Sequence, residues 1–260
     1  MWLLVDADML LFQACCGCEV EVEWQKDIIT THLPVREAMM VFEDLLSIKK
    51  QQVKSDLVTL CWTGVDNFRK KVDPSYKANR RATNHRIKPV GFKEVRRRLE
   101  NSYKSECWYR LEADDVIGIL ATRYRDKTPV IWSGDKDLKQ IPGFHLTSDG
   151  DIDLITEEEA DAYFLQQCLS GDAVDGYSGC PGIGPKTAKK LIPVERFSLA
   201  SSWRVVVKQY EKKGLSADHA LNQARLARIL RDTEYTYDDI ELWEPPTLPT
   251  LVTTDSEKSL

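Results

Sequence analysis

Apolar residues fall into short unbroken runs in the first half of the chain and into helical spacing elsewhere. Trp2-Leu3-Leu4-Val5 ends at Asp6, Leu57-Val58-Thr59-Leu60-Cys61-Trp62 ends at Thr63-Gly64, and Pro129-Val130-Ile131-Trp132-Ser133 ends at Gly134-Asp135. Runs this short, bounded by turn residues, predict buried strands. Ala38, Val41, Phe42, Leu45, Leu46 and Ile48 recur at helical spacing after Pro34 and predict a helix over 35–50. Residues 92–101 are a further predicted helix, and Val116 to Ala121 open another. Strands alternating with helices predict an α/β fold with a mostly parallel sheet covered on both faces. In such sheets functional groups collect beyond the carboxyl ends of the strands, where Asp6 and Asp135 stand.

Beyond residue 156 the pattern changes to helices and turns. Gly179-Cys180-Pro181-Gly182-Ile183-Gly184-Pro185-Lys186 predicts a sharp turn entering a helix over 187–191. Ala217, Ala220, Leu221, Ala224, Ala227 and Leu230 predict an amphipathic helix over 217–230. The expected organisation is an α/β core over 1–155 that includes a basic arch at 69–98, a helical region over 156–244 and a loose tail over 245–260.

Charge sharpens this picture. The chain carries −5 overall, yet residues 69–98 hold twelve Lys or Arg against Asp73 and Glu94. That segment is +10, which leaves −15 for the rest. An ordinary exposed helix mixes signs, so so one-sided a segment points to phosphate. It opens with Arg69 and includes Tyr76-Lys77-Ala78-Asn79-Arg80-Arg81. If helical, it places Lys77, Arg80 and Arg81 on one face. Tyr76 admits both base stacking and plain packing. No apolar run approaches the roughly 18 residues needed to cross a bilayer, and no basic segment precedes the first apolar stretch, so neither a membrane span nor a secretory signal is expected. Seven cysteines without paired metal-ligand spacing fit the reduced thiols of a cytoplasmic protein.

The acids gather in short clusters: Asp6-Ala7-Asp8, Glu112-Ala113-Asp114-Asp115, Asp135-Lys136-Asp137 and Asp172-Ala173-Val174-Asp175. Taken singly, each has another reading, as a helix cap, a turn residue or a solvated loop acid. Taken together, like charges beside a buried helix conflict unless a cation binds or protons do. No cluster contains His or Cys, and all-oxygen ligation favours Mg²⁺ or Mn²⁺ over Zn²⁺. The number of carboxylates exceeds what one Mg²⁺ needs and suggests two ions, the arrangement that serves phosphodiester cleavage. Gly182 and Gly184 before a helix form a backbone anion site. A P-loop is disfavoured, because Pro185 separates Gly184 from Lys186 and no strand precedes the turn.

Read in order, these motifs resemble the 5′-nuclease superfamily of flap endonucleases and 5′→3′ exonucleases, and most of all its short phage 5′→3′ exonucleases, from Leu3 to about Arg231. Val5-Asp6-Ala7-Asp8, Asp73-Pro74-Ser75-Tyr76-Lys77-Ala78-Asn79-Arg80, Leu111 to Val116, Ser133 to Leu138 and Gly171 to Ala188 carry the likeness, as does Ala224 to Arg231. The resemblance implies a PIN-like core, a basic arch and a helix–three-turn–helix element near 171–191. It implies that Asp6, Glu112, Asp114 and Asp135 hold one metal ion, that Asp137, Asp172 and Asp175 serve a second, and that Asp115 lies near both. It further implies Lys77 and Arg80 at the scissile phosphate and Gly182, Gly184 and Lys186 on the duplex backbone. Arg69, Tyr76 and Arg81 join the expected DNA contacts. The family carries an Asp at the end of its second strand; here Thr63-Gly64 stands there, and Asp66 is the expected substitute. The arch segment is short and broken at Pro89 and Gly91, which favours exonuclease action over threading of long flaps. The implied activity is Mg²⁺-dependent 5′→3′ hydrolysis of duplex DNA, by a monomer, extending to flap-like or RNA-primed ends. A non-catalytic DNA-binding protein of the same fold and a PIN-type RNA-processing nuclease are the rival readings.

Overall fold

A computed structural model of the chain describes residues 1–79, 88–236 and 239–246. A six-stranded sheet runs β5-β4-β1-β6-β7-β8, formed by β1 (Trp2–Asp6), β4 (Val58–Trp62), β5 (Ser105–Cys107), β6 (Pro129–Trp132), β7 (Gly143–Leu146) and β8 (Ile152–Ile155). Every neighbouring pair is parallel except β7 with β8, which is antiparallel. The mostly parallel α/β fold is as the sequence predicts, and β5, β7 and β8 extend it beyond the predicted strands.

The central strand shows why its run is uninterrupted. Leu3 and Val5 project into one core with Leu10, Leu11, Phe42, Leu46, Val95 and Leu99. Trp2 and Leu4 project to the other side, onto Val116, Ile117, Leu120, Ile229 and Leu230. A strand covered on both faces has no polar face to present. The first core is built by α1 (Ala7–Cys18), α2 (Val35–Val53) and α4 (Phe92–Ser102), which follows the single turn α3 (Arg69–Val72); the second is built by α5 (Ala113–Arg123). A third core lies among α6 (Glu157–Ser170), α7 (Pro185–Leu191), α8 (Leu199–Glu211) and α9 (Ala217–Ala227), around Phe164, Leu165, Val206 and Tyr210.

Two departures from the sequence reading matter. The helix expected over 217–230 stops at Ala227. Residues 228–231 leave it as an extended strap, because two of their amides find partners inside the α/β core: Ile229 N donates to Gln140 and Leu230 N to Asp115. Gly118 permits the strap to cross α5 closely, since a Cβ there would lie 2.3 Å from the Leu230 carbonyl oxygen. The second departure is an exposed antiparallel hairpin, β2 (Val20–Gln25) with β3 (Ile28–His32), between α1 and α2. Its alternation Val-Glu-Val-Glu-Trp is a strand period that the helical framework around it obscures. No helix among the described residues is long and apolar enough to cross a membrane. All seven cysteines are free thiols. Most of the expected tail lies outside the described residues.

Candidate active site

The carboxyl ends of β1 and β6 adjoin each other in the sheet, and this places Asp6 beside Asp135. Ser133 ties them: its hydroxyl donates to Asp6 Oδ2 at 2.9 Å and accepts from the Asp135 amide at 3.0 Å. The N-terminal turn of α5 brings Glu112 and Asp114, and the turn after β6 brings Asp137. The loop after α6 adds Asp172 and Asp175, folded by Asp172 Oδ1, which accepts from the amides of Val174 at 2.7 Å and Asp175 at 3.2 Å. Gly171 and Gly179 close that loop at positive φ with their backbones packed together, a crossing in which any Cβ would clash. Glu112, Asp114, Asp135, Asp137 and Asp175 thus line one small polar cavity with Arg69, Tyr76, Lys77 and Tyr177.

Charge within this cluster is unevenly compensated. Burial, together with Asp8 and Asp135, pushes Asp6 up to about 6. Burial, together with Asp135 and Asp172, raises Asp137 to about 6. Asp114 is raised well above the usual carboxylate range by burial and by Asp6, Asp135 and Glu112. Glu112 behaves oppositely. Burial pushes it up, but Lys77 and Arg69 outweigh that and hold it down to about 2. The Lys77 ammonium pairs with Glu112 and lies 3.5 Å from Asp175.

Oxygen donors alone converge here, so the chemistry of the set suits a hard divalent cation. The raised groups show which carboxylates lack a countercharge. Among the described residues, no three His, Cys, Asp or Glu side chains stand in a closed ligating arrangement. Lys77 occupies the space between Glu112 and Asp175 instead.

Several expected roles are corrected by the geometry. Asp115 is fully buried and accepts from four donors: Arg69 Nη1 at 2.8 Å, Arg69 Nη2 at 2.7 Å, Glu112 N at 3.1 Å and Leu230 N at 3.2 Å. Its lone pairs are used, and none is left to face a metal. Arg69, expected among the DNA contacts, is instead held inside the protein. It is 3% exposed, and its guanidinium is engaged by Asp115, Glu112 and the carbonyls of Leu226 and Arg228. Tyr76 is also buried, its single hydroxyl proton shared between Glu112 at 3.1 Å and Asp175 at 3.0 Å, so no face is offered to a base. Asp66 is exposed and accepts from Tyr109 at 3.0 Å, away from the cluster. Lys77 lies in a turn at φ +57, not on a helix. Its amide donates to the Asp175 carbonyl at 2.8 Å, which fixes this conformation. Arg80 and Arg81 lie outside the described residues. Gly182, Gly184 and Lys186 are exposed together at the turn into α7.

A family model for the 5′-3′ exonuclease N-terminal resolvase-like domain matches residues 1–164. An exodeoxyribonuclease of Enterobacteria phage T3 is 33% identical over 94% of this chain and 92% of its own. The exonuclease of Escherichia phage T7 is 32% identical over 94% and 93%. The chain belongs to the 5′-3′ exonuclease family. Its fold is that of the bacteriophage T5 D15 flap endonuclease, solved with DNA and metal ions, at a TM-score of 0.66 and 13% identity over 89% of each chain. The T5 D15 protein co-crystallised with metal ions gives a TM-score of 0.61 over 89% and 90%.

Within this 5′-3′ exonuclease, the end of the second strand is filled from an unexpected direction. Asp8 Oδ2 accepts from the Thr63 amide at 2.6 Å, and Arg96 lies 3.7 Å from Asp8 Oδ1 while donating to the Thr63 carbonyl at 3.1 Å. Asp8 was visible in the first cluster without a role, and Arg96 was one cation among many in the basic segment. Only the register of β1 against β4, which pairs Asp6 with Cys61, brings Asp8 to Thr63.

Proposed function

We propose that this 5′-3′ exonuclease hydrolyses phosphodiester bonds at the 5′ ends of duplex DNA with two Mg²⁺ ions, for which Mn²⁺ substitutes, and that it also cuts flap-like and RNA-primed 5′ ends. The observation that carries this reading is the convergence of Glu112, Asp114, Asp135, Asp137 and Asp175 on one cavity beside Lys77, with Asp6 at the end of β1 close enough to Asp114 and Asp135 to repel them. Bound divalent cations supply Lewis acidity that activates water and stabilises the leaving oxygen.

Asp6, Glu112, Asp114 and Asp135 are assigned to one ion, and Asp137, Asp172 and Asp175 to the other. Ser133 holds the Asp6 carboxylate and the Asp135 backbone, and the Asp137 amide donates to Asp135 Oδ1 at 2.9 Å, so both carboxylates are already placed when a cation arrives. Lys77 has two roles in sequence. Without substrate it neutralises Glu112 and Asp175; with substrate it turns to the scissile phosphate, alongside Arg80, and offsets the charge that builds there. Gly182, Gly184 and Lys186 are proposed to track the backbone of the duplex, with Lys213 close to Gly182. Such contacts position DNA without reading its sequence.

The test compares duplexes labelled at the 5′ or 3′ end, with and without a 5′ flap, and an RNA–DNA hybrid, in Mg²⁺. Release from labelled 5′ ends is expected first. Digestion starting from the 3′ end, or full activity of Asp135→Asn, would overturn the reading.

A further inference from the structure

Two glutamines lie inside the core, where a buried polar side chain has to find partners. Gln140 is 1% exposed and Gln167 6%. They are joined to each other by a hydrogen bond from Gln140 Nε2 to Gln167 Oε1. At one end of the pair, Gln140 meets the strap: its Oε1 accepts from Ile229 N at 3.2 Å and its Nε2 donates to the Ala227 carbonyl at 2.8 Å. At the other end, Gln167 Nε2 donates to Asp137 Oδ1 at 2.6 Å.

The direction of this chain is forced. A backbone N–H can only donate and a carbonyl can only accept, so Ile229 and Ala227 fix which end of the Gln140 amide is oxygen. Gln140 then presents N–H to Gln167, which must answer with its oxygen and is left with N–H for Asp137. Asp137 and Gln140 sit on the same short turn, Lys136–Gln140, so the relay through α6 also closes that turn on itself. The same strap holds Asp115 one residue further on, through Leu230 N.

We propose that Gln167 is a positioning residue for the second ion, aiming Asp137 from behind, and that Gln140 sets the orientation of Gln167. This rests on the reading of Asp137 as a ligand of that ion. A hydrogen bond behind a ligating carboxylate fixes which oxygen faces the metal, and loss of such a partner typically costs about 10–100-fold in metal affinity. An ionised Glu or Asp cannot replace Gln167, because the position has to accept from one neighbour and donate to the next.

Mn²⁺ titration of the metal-free protein by calorimetry tests the assignment, with Gln167→Met, Gln140→Met and Asp137→Asn beside the parent chain. The parent is expected to bind two ions. Gln167→Met should weaken one of the two sites about 10–100-fold and leave the other unchanged. Gln140→Met should do the same to a smaller degree, and Asp137→Asn should abolish that same site. KM for DNA should stay near that of the parent while the Mg²⁺ concentration for half-maximal rate rises. Unchanged affinity at both sites in a folded Gln167→Met chain overturns the role of Gln167. If that variant does not fold, Gln140→Met with parent-like affinities overturns the relay. If Asp137→Asn keeps both sites, the ligand assignment itself fails, a result distinct from failure of the glutamines alone.

Discussion

Asp114 and Asp115 are neighbours in sequence and stand on the first turn of the same helix, yet they live in opposite electrostatic worlds. Asp115 meets Arg69 in a two-pronged ion pair, with two backbone amides completing its shell. Asp114 faces Asp6, Asp135 and Glu112 and is driven toward its protonated form. The roughly 100° step between successive helical residues is enough to turn one into the interior and the other into the cavity. A buried charge with a complete set of partners is structural; a buried charge short of them invites a cation. Adjacent acids therefore have to be sorted by what faces them, not by their motif.

Five experiments would break or sharpen that contrast. On the uncompensated side, Asp135→Asn is expected to fold normally and to lose activity by more than about 100-fold, beyond the typical effect of an outer partner; near-parental rates on 5′-labelled duplex would break the contrast outright. On the compensated side, Arg69→Met should leave Asp115 buried and unpaired, lowering stability by about 3–5 kcal/mol in denaturant unfolding. Adding Asp115→Leu should recover part of that loss, and no recovery would show that Arg69 acts mainly through Glu112 and the strap.

Lys77→Met tests the group that stands between the two sides. Its removal should slow cleavage by on the order of tenfold or more while tightening Mn²⁺ binding, because the ammonium no longer competes for Glu112 and Asp175. Weakened Mn²⁺ binding would contradict that competition.

Linkage gives a smaller effect with a definite sign. Asp6 and Asp137 are raised from 3.8 to about 6, so between those pH values the folded chain holds protons that the unfolded chain has released. Their contribution to stability is therefore lost as pH rises through 6. Glu112, held down to about 2, loses its contribution only as pH falls below 4.5. In EDTA, melting temperature should accordingly drift down from pH 4.5 to 7, and Mg²⁺ should raise it more at pH 7.5 than at pH 5, where protons compete. A larger gain at pH 5 would reverse the assignment. The smallest effect is expected for Asp66→Asn, exposed and, among the described residues, hydrogen-bonded only to Tyr109: stability within about 0.5 kcal/mol, and cleavage rates close to the parent's.

Much of the site was legible because its motifs are local. Asp6 and Asp135 follow apolar runs, and the end of a buried parallel strand is where such a sheet exposes chemistry. The acidic loop at Asp172 and Asp175 announces itself beside glycines that only a tight crossing requires. Arg69 and Tyr76 misled for a related reason: inside a run of basic residues, nothing local separates a guanidinium that faces solvent from one that dives into the core. The end of α9 was equally hidden. Leu230 and Ile229 keep helical spacing, and only distant acceptors, Asp115 and Gln140, draw their amides out of the helix.

By itself the sequence determined the alternation of strands and helices, the acid-only donor set and the separation of a basic segment from an acidic remainder. Those properties depend on period and composition, which a single chain displays openly. Tertiary structure decided which acids are compensated, that Asp8 and not Asp66 closes the end of the second strand, and that a strap from residues 228–231 holds Asp115 and Gln140. These depend on contacts between residues 55, 89 and 115 positions apart. Burial sets the cost of each charge and the partner it needs, and no local pattern records either.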